Sequence, residues 1–192
     1  MKKLTSLLLI LSCGMALGQN LVENPSFENT GPCPVTGTVF SDFAEPWTNY
    51  FGTPDYYLPE CAAPGNPQLN FNEQAFDGNA YAGIAVYGDS GTAFIREYLH
   101  GQLKRPLEKG EKYRVTFYVK PVNDDPVSYA IDNIGMALTA KPMDSVPALN
   151  IYPFTPQVET SSIVSNEGYW TAICGVYEAK GGEEFITSWQ LQ

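Results

Sequence analysis

One histidine in 192 residues leaves almost no imidazole for catalysis or for a His/Cys metal cluster, and His100 stands alone. Basic residues are scarce as well. Eleven Lys/Arg face 21 Asp/Glu, a formal charge of −10, so the surplus that phosphate neutralisation requires is missing and nucleic acid is excluded as a partner. No run approaches the roughly 20 apolar residues that a membrane helix needs. No stretch carries capped 3.6-residue apolar periodicity, so little helix is expected beyond the leader. Charged residues make up only 17% of the chain, whereas aromatics reach 13%, with 17 Gly and 15 Pro: the composition of a loop-rich globular protein.

The N-terminus reads as an export signal over residues 1–18. Lys2 and Lys3 precede Leu7-Leu8-Leu9-Ile10-Leu11, and the small residues Ala16 and Gly18 close the segment. The remaining residues, 19–192, are a suitable length for one domain. Loss of Lys2 and Lys3 would take the charge to −12. Ser12-Cys13-Gly14 raises lipidation at Cys13, but Ile10 and Leu11 fit a lipobox poorly. Past the leader stand Cys33, Cys61 and Cys174, so two can pair and one is left over. Cys33 and Cys61 lie in Pro-rich loops, where a staple would close a long loop and contribute about 3.5 kcal/mol. Cys174 falls in a strand-like stretch and reads as a small buried apolar residue.

The body of the chain reads as strands. In Lys112–Lys120, Tyr113, Val115, Phe117 and Val119 alternate with Lys112, Arg114, Thr116, Tyr118 and Lys120, the pattern of a half-buried strand. Glu108-Lys109-Gly110-Glu111 is a turn, with 93–103 expected as the antiparallel partner on its far side. Further strands are expected at 80–87, 129–139, 169–179 and 184–191. Short strands with Gly/Pro/Asn punctuation predict an all-β, antiparallel β-sandwich, or jelly roll. Long loops are expected over 29–79 and 141–158.

The order of several motifs resembles a family. Asn20-Leu21-Val22-Glu23-Asn24-Pro25-Ser26-Phe27-Glu28, then Trp47, Gly52-Thr53-Pro54-Asp55-Tyr56, Cys61, Gly78-Asn79-Ala80-Tyr81-Ala82-Gly83-Ile84 and Tyr129-Ala130-Ile131-Asp132-Asn133-Ile134-Gly135 are similar to galactose-binding-like, carbohydrate-binding-module jelly rolls. Such domains occur on exported proteins of Gram-negative bacteria, often ahead of an OmpA-like domain that is absent from this sequence. The resemblance implies a location in the periplasm, at the outer membrane surface or outside the cell. It also implies a final strand of the Ile-Asp-Asp-Val type, which this sequence does not reach, and hence a sheet edge left open. A structural Ca²⁺ is implied on Glu28, with Asp132 standing in for the missing late-strand aspartate.

Two further candidate chemistries stand in the sequence. Gly88-Asp89-Ser90-Gly91 has the form of a nucleophile turn, but no base is supplied near it except His100, and a plain hairpin turn explains it better. Sugar binding needs flat aromatic faces and a few amides or carboxylates; Trp47, Tyr56 and Tyr57 with Asn49 and Asp55 have that chemistry. The competing reading is that these rings only cover the end of the core. The expected function is therefore a non-catalytic exported module binding glycan or envelope polysaccharide, with no bond broken. The alternatives are a structural or adhesive component that binds another surface protein by sheet-edge pairing, and a glycoside-acting or serine hydrolase.

Overall fold

The computed structural model describes residues 18–31, 44–49, 52–59, 74–86, 97–121, 130–143 and 155–190. Within them the regular structure is all β, in eight strands: β1 (Asp55–Tyr57), β2 (Tyr81–Gly83), β3 (His100–Gln102), β4 (Lys112–Val119), β5 (Ile134–Thr139), β6 (Val158–Thr160), β7 (Thr171–Glu178) and β8 (Phe185–Gln190). Every pairing is antiparallel. One sheet runs β3-β8-β5-β6, while β4-β7 and β1-β2 are two-stranded. On the free edge of β3 the chain adds bridges from Val22 to Leu103 and from Thr48 to His100. The N-terminal stretch thus joins the sheet through Glu23 N–H to Gln102 O at 2.9 Å and Lys104 N–H to Leu21 O at 2.8 Å.

The alternation in β4 decides how the layers stack. Its residues alternate strictly between exposed and half-buried from Lys112 to Val119, because successive side chains of a strand point to opposite faces. Val115, Phe117 and Val119 face inward onto Ile134, Val158, Val164 and Ile173. A larger cluster unites Leu99, Leu103, Leu107, Met136, Leu138, Tyr177 and Ile186 with Trp47 and Tyr56. These clusters place the β4-β7 ribbon face to face with the four-stranded sheet, which is a sandwich. Gly175 lets the layers come together: a Cβ there would sit 3.0 Å from Val158 Cγ2. Burying one side chain such as Ile173 contributes about 2 kcal/mol.

Several expectations are corrected. Among the described residues, 97–103 do not pair with β4; β4 pairs with β7 over its whole length, Lys112 opposite Glu178 to Val119 opposite Thr171, and β3 pairs with β8. The 108–111 segment is a turn, with Gly110 at φ +84°, but it feeds β4 from the other layer instead of closing a hairpin. The expected 29–79 loop contains β1, and β6 begins at the end of the 141–158 loop. The strand expected at 184–191 is β8, which is interior to its sheet and paired with both β3 and β5. Cys174 is half-buried and disulfide-bonded, not a free thiol, with its partner outside the described residues. Cys13, Cys33 and Cys61, and with them the expected staple and the lipidation site, also lie outside the described residues.

Candidate functional site

Glu28 fixes the segment that carries the site. Its Oε1 accepts the backbone N–H groups of Asn79 and Ala80, each at 2.7 Å, a charge-assisted pair that holds the chain entering β2. Gly78, at φ +69°, lies so close to that carboxylate that a Cβ would collide with it. Pinned in this way, the segment lays Phe76 on Tyr118 of β4, ring centroids 3.4 Å apart and planes inclined 15°. Phe76 is 51% exposed and Tyr118 38%.

A second set of rings ties in through the backbone two residues before Phe76. Trp170 donates its Nε1–H to Gln74 O at 2.9 Å and meets Tyr81 edge-on, at 6.1 Å and 73°. Tyr81 stacks on Tyr57 at 4.9 Å and 19°. Tyr57 in turn donates its hydroxyl to Asp55 Oδ2 at 3.1 Å. The rings of Trp170, Tyr81 and Tyr57 thus reach the Phe76 segment through the Gln74 carbonyl, and the segment is anchored there and at Glu28. Tyr169 adds a further exposed ring beside Trp170.

Of the residues expected to contact sugar, Tyr57 and Asp55 end the ring set just described, and Trp47, Asn49 and Tyr56 are packed elsewhere. Trp47 is 5% exposed and Tyr56 2%. Trp47 donates Nε1–H to Asn24 O at 2.8 Å, and its ring lies on Gly101, where a Cβ would come within 2.8 Å of it. Tyr56 donates its hydroxyl to Phe27 O at 3.0 Å. Burial, then the negative charge of Glu28, pushes the Tyr56 phenol up to about 12, against a smaller opposing effect of Thr30. Asn49 donates Nδ2–H to Gly52 O at 2.8 Å, and Asp55 receives Tyr57. These contacts make Trp47, Asn49, Asp55, Tyr56 and Tyr57 a packed and hydrogen-bonded set, with the Trp47, Tyr56 and Tyr57 rings buried. Their sequence showed an apolar face with a polar handle, which serves a core as well as a ligand.

No family model, curated protein or solved structure matches this chain.

The site must accordingly be read from its own chemistry. Glu28, expected as a calcium ligand, spends Oε1 on two amides, and Asp132 lies exposed ahead of β5. Neither belongs to a group of three or more His, Cys, Asp or Glu able to hold a metal among the described residues. Ser90 lies outside the described residues. His100 is inside the sheet, 3% exposed, with Nδ1 2.6 Å from Thr187 Oγ1 and the Phe185 ring stacked on it at 5.5 Å. Burial pushes it down to about 4. Two buried carboxylates brace loops instead. Glu97 takes Thr53 N–H at 2.8 Å and Ala85 N–H at 2.7 Å. Glu183 takes the Tyr177 hydroxyl at 2.5 Å, Lys180 N–H at 2.8 Å and Gly181 N–H at 2.9 Å. Burial raises the Glu183 carboxyl, but the hydrogen bonds from Tyr177 and the turn amides outweigh it and leave it below the usual range. Among the described residues no helix is long and apolar enough to cross a membrane.

Phe76, Tyr118 and Trp170 escaped the sequence reading. One signal was present for Tyr118: it occupies the polar phase of the β4 alternation, where a large ring gains nothing from the core.

Proposed function

We propose that this chain is an exported, non-catalytic binding module of jelly-roll type in a Gram-negative cell envelope, and that its ligand is a glycan. The reading rests on one observation, the solvent-exposed and pre-stacked Phe76–Tyr118 pair. An exposed aromatic surface on a segment anchored at Gln74 and Glu28 has the chemistry that receives the apolar face of a pyranose. Support for export comes from the signal-like N-terminus and from the disulfide-bonded Cys174, since disulfides persist in oxidising compartments. The motif order resembling carbohydrate-binding modules points the same way. A glycan array probed with the wild-type chain and Phe76→Ala tests it. Binding to a defined set of glycans, weakened about tenfold in the variant by loss of one stacked ring, is expected; a blank array, or identical binding by both proteins, overturns it.

A second reading, surface assembly by strand addition, is favoured by the β4-β7 ribbon, whose strands pair only with each other among the described residues. A pull-down in which another envelope protein is captured, and glycans do not compete, would select it.

A further inference from the structure

Only Asp77 and Gly78 separate Phe76 from the amides that Glu28 holds. They form the one Asp-Gly step in the chain, and no Asn-Gly occurs. Both residues are exposed. Among the described residues the Asp77 carboxylate and the Gly78 amide make no hydrogen bond, and Asp77 has no ion pair. Gly78 brings no Cβ to shield its own nitrogen, and the fold keeps it so. Its φ of +69° is a glycine conformation, and a Cβ there would collide with the Glu28 carboxylate. The residue that leaves the step open is therefore fixed by the same contact that anchors the segment.

We infer that Asp77-Gly78 is a modification site, at which the backbone isomerises spontaneously and so limits the lifetime of the Phe76–Tyr118 stack. A carboxyl one carbon off the main chain reaches the nitrogen of the next residue and closes a five-membered ring. The Gly78 nitrogen bonds to Asp77 Cγ, and one carboxyl oxygen leaves as water, taking the amide hydrogen and the carboxyl proton. Water then opens this succinimide. Attack at Cγ restores aspartate; attack at the other carbonyl breaks its bond to the Gly78 nitrogen and leaves Gly78 joined through Cγ, an isoaspartate of unchanged mass. The main chain gains one atom, about 1.5 Å of length, between the anchors at Gln74 and Asn79. That slack falls beside Phe76, whose ring centroid is held 3.4 Å from that of Tyr118, so the stack separates. The step stands whatever ligand the stack receives.

Peptide mapping of the folded protein during storage in warm neutral buffer tests this, beside Asp77→Glu and a synthetic peptide of residues 74–80. Expected is a second peak of equal mass for the Asp77 peptide, growing at a rate comparable with that in the synthetic peptide and labelled by an isoaspartyl methyltransferase. It should be lost in Asp77→Glu, where the ring would need six members and closes far more slowly. In the isomerised fraction the ring-current displacements of the Phe76 and Tyr118 proton resonances should shrink, whereas the amides of β5 and β8 exchange as before. A peak that stays single in the folded protein, whether or not the synthetic peptide isomerises, overturns the site. An isomer with undisturbed ring resonances overturns its effect on the stack.

Discussion

Acidification from pH 7 to about pH 4.5 should destabilise this fold through His100 in a way that can be isolated. The imidazole is enclosed by the sheet, and burial lowers it from 6.5 to about 4. Between those two values the unfolded chain binds a proton that the folded chain refuses, so unfolding becomes easier as the pH falls. Above 6.5 both states are neutral and the stabilisation is fully present; it is lost on descent from there toward 4. For a single site shifted by this amount, the loss between pH 7 and pH 4.5 is about 2–3 kcal/mol, a large share of the 5–15 kcal/mol typical of a domain. Glu183, held below its usual range, works in the same direction at lower pH, so the histidine must be separated from it. Urea denaturation of the wild type and His100→Gln at both pH values does so. The wild type should lose about 2–3 kcal/mol more than the variant over that interval. Because His100 is the sole histidine, its ring proton resonance can also be titrated in the wild type without assignment, which covers the case of a variant that fails to fold. A titration midpoint near 6.5, or parallel losses in the two proteins, would refute a buried neutral ring.

The core and the loops yield further expectations. Gly101→Ala should destabilise by about 1–3 kcal/mol, because its new methyl would meet the Trp47 ring and cannot be accommodated without moving it; thermal denaturation checks this, and an unchanged midpoint would remove Trp47 from the core. Glu183→Leu should cost about 2–3 kcal/mol by stripping partners from the Tyr177 hydroxyl and two turn amides, measured by chemical denaturation. Peptide mapping without reduction should find Cys174 in a cross-linked peptide; recovery of a Cys174 peptide alkylated before reduction would contradict it. Glu28→Gln should loosen the Phe76 segment, seen as faster amide exchange at Asn79 and Ala80; unchanged exchange would show that the carboxylate does not hold it.

The sequence determined class and periodicity. The alternation from Lys112 to Lys120 located β4 to within one residue of its end, since side-chain alternation is a local property of an extended backbone whose one face is buried. Tertiary structure decided partnership. Nothing in that alternation distinguishes β7 from residues 93–103 as the neighbour, because either would present the same apolar face; the choice depends on which pairing lets Phe117 and Ile173 close over Val158. The short strands β1 and β6, three residues each, carry too few alternations to register, and they exist because Tyr57 meets Tyr81 and Met136 meets Val158 across the gap. The same division governs the site. Aromatic content announced that rings would matter, but whether a ring lies in the core, as Trp47 does, or at the surface, as Phe76 does, depends on what lies above it, and residues distant in sequence supply that cover.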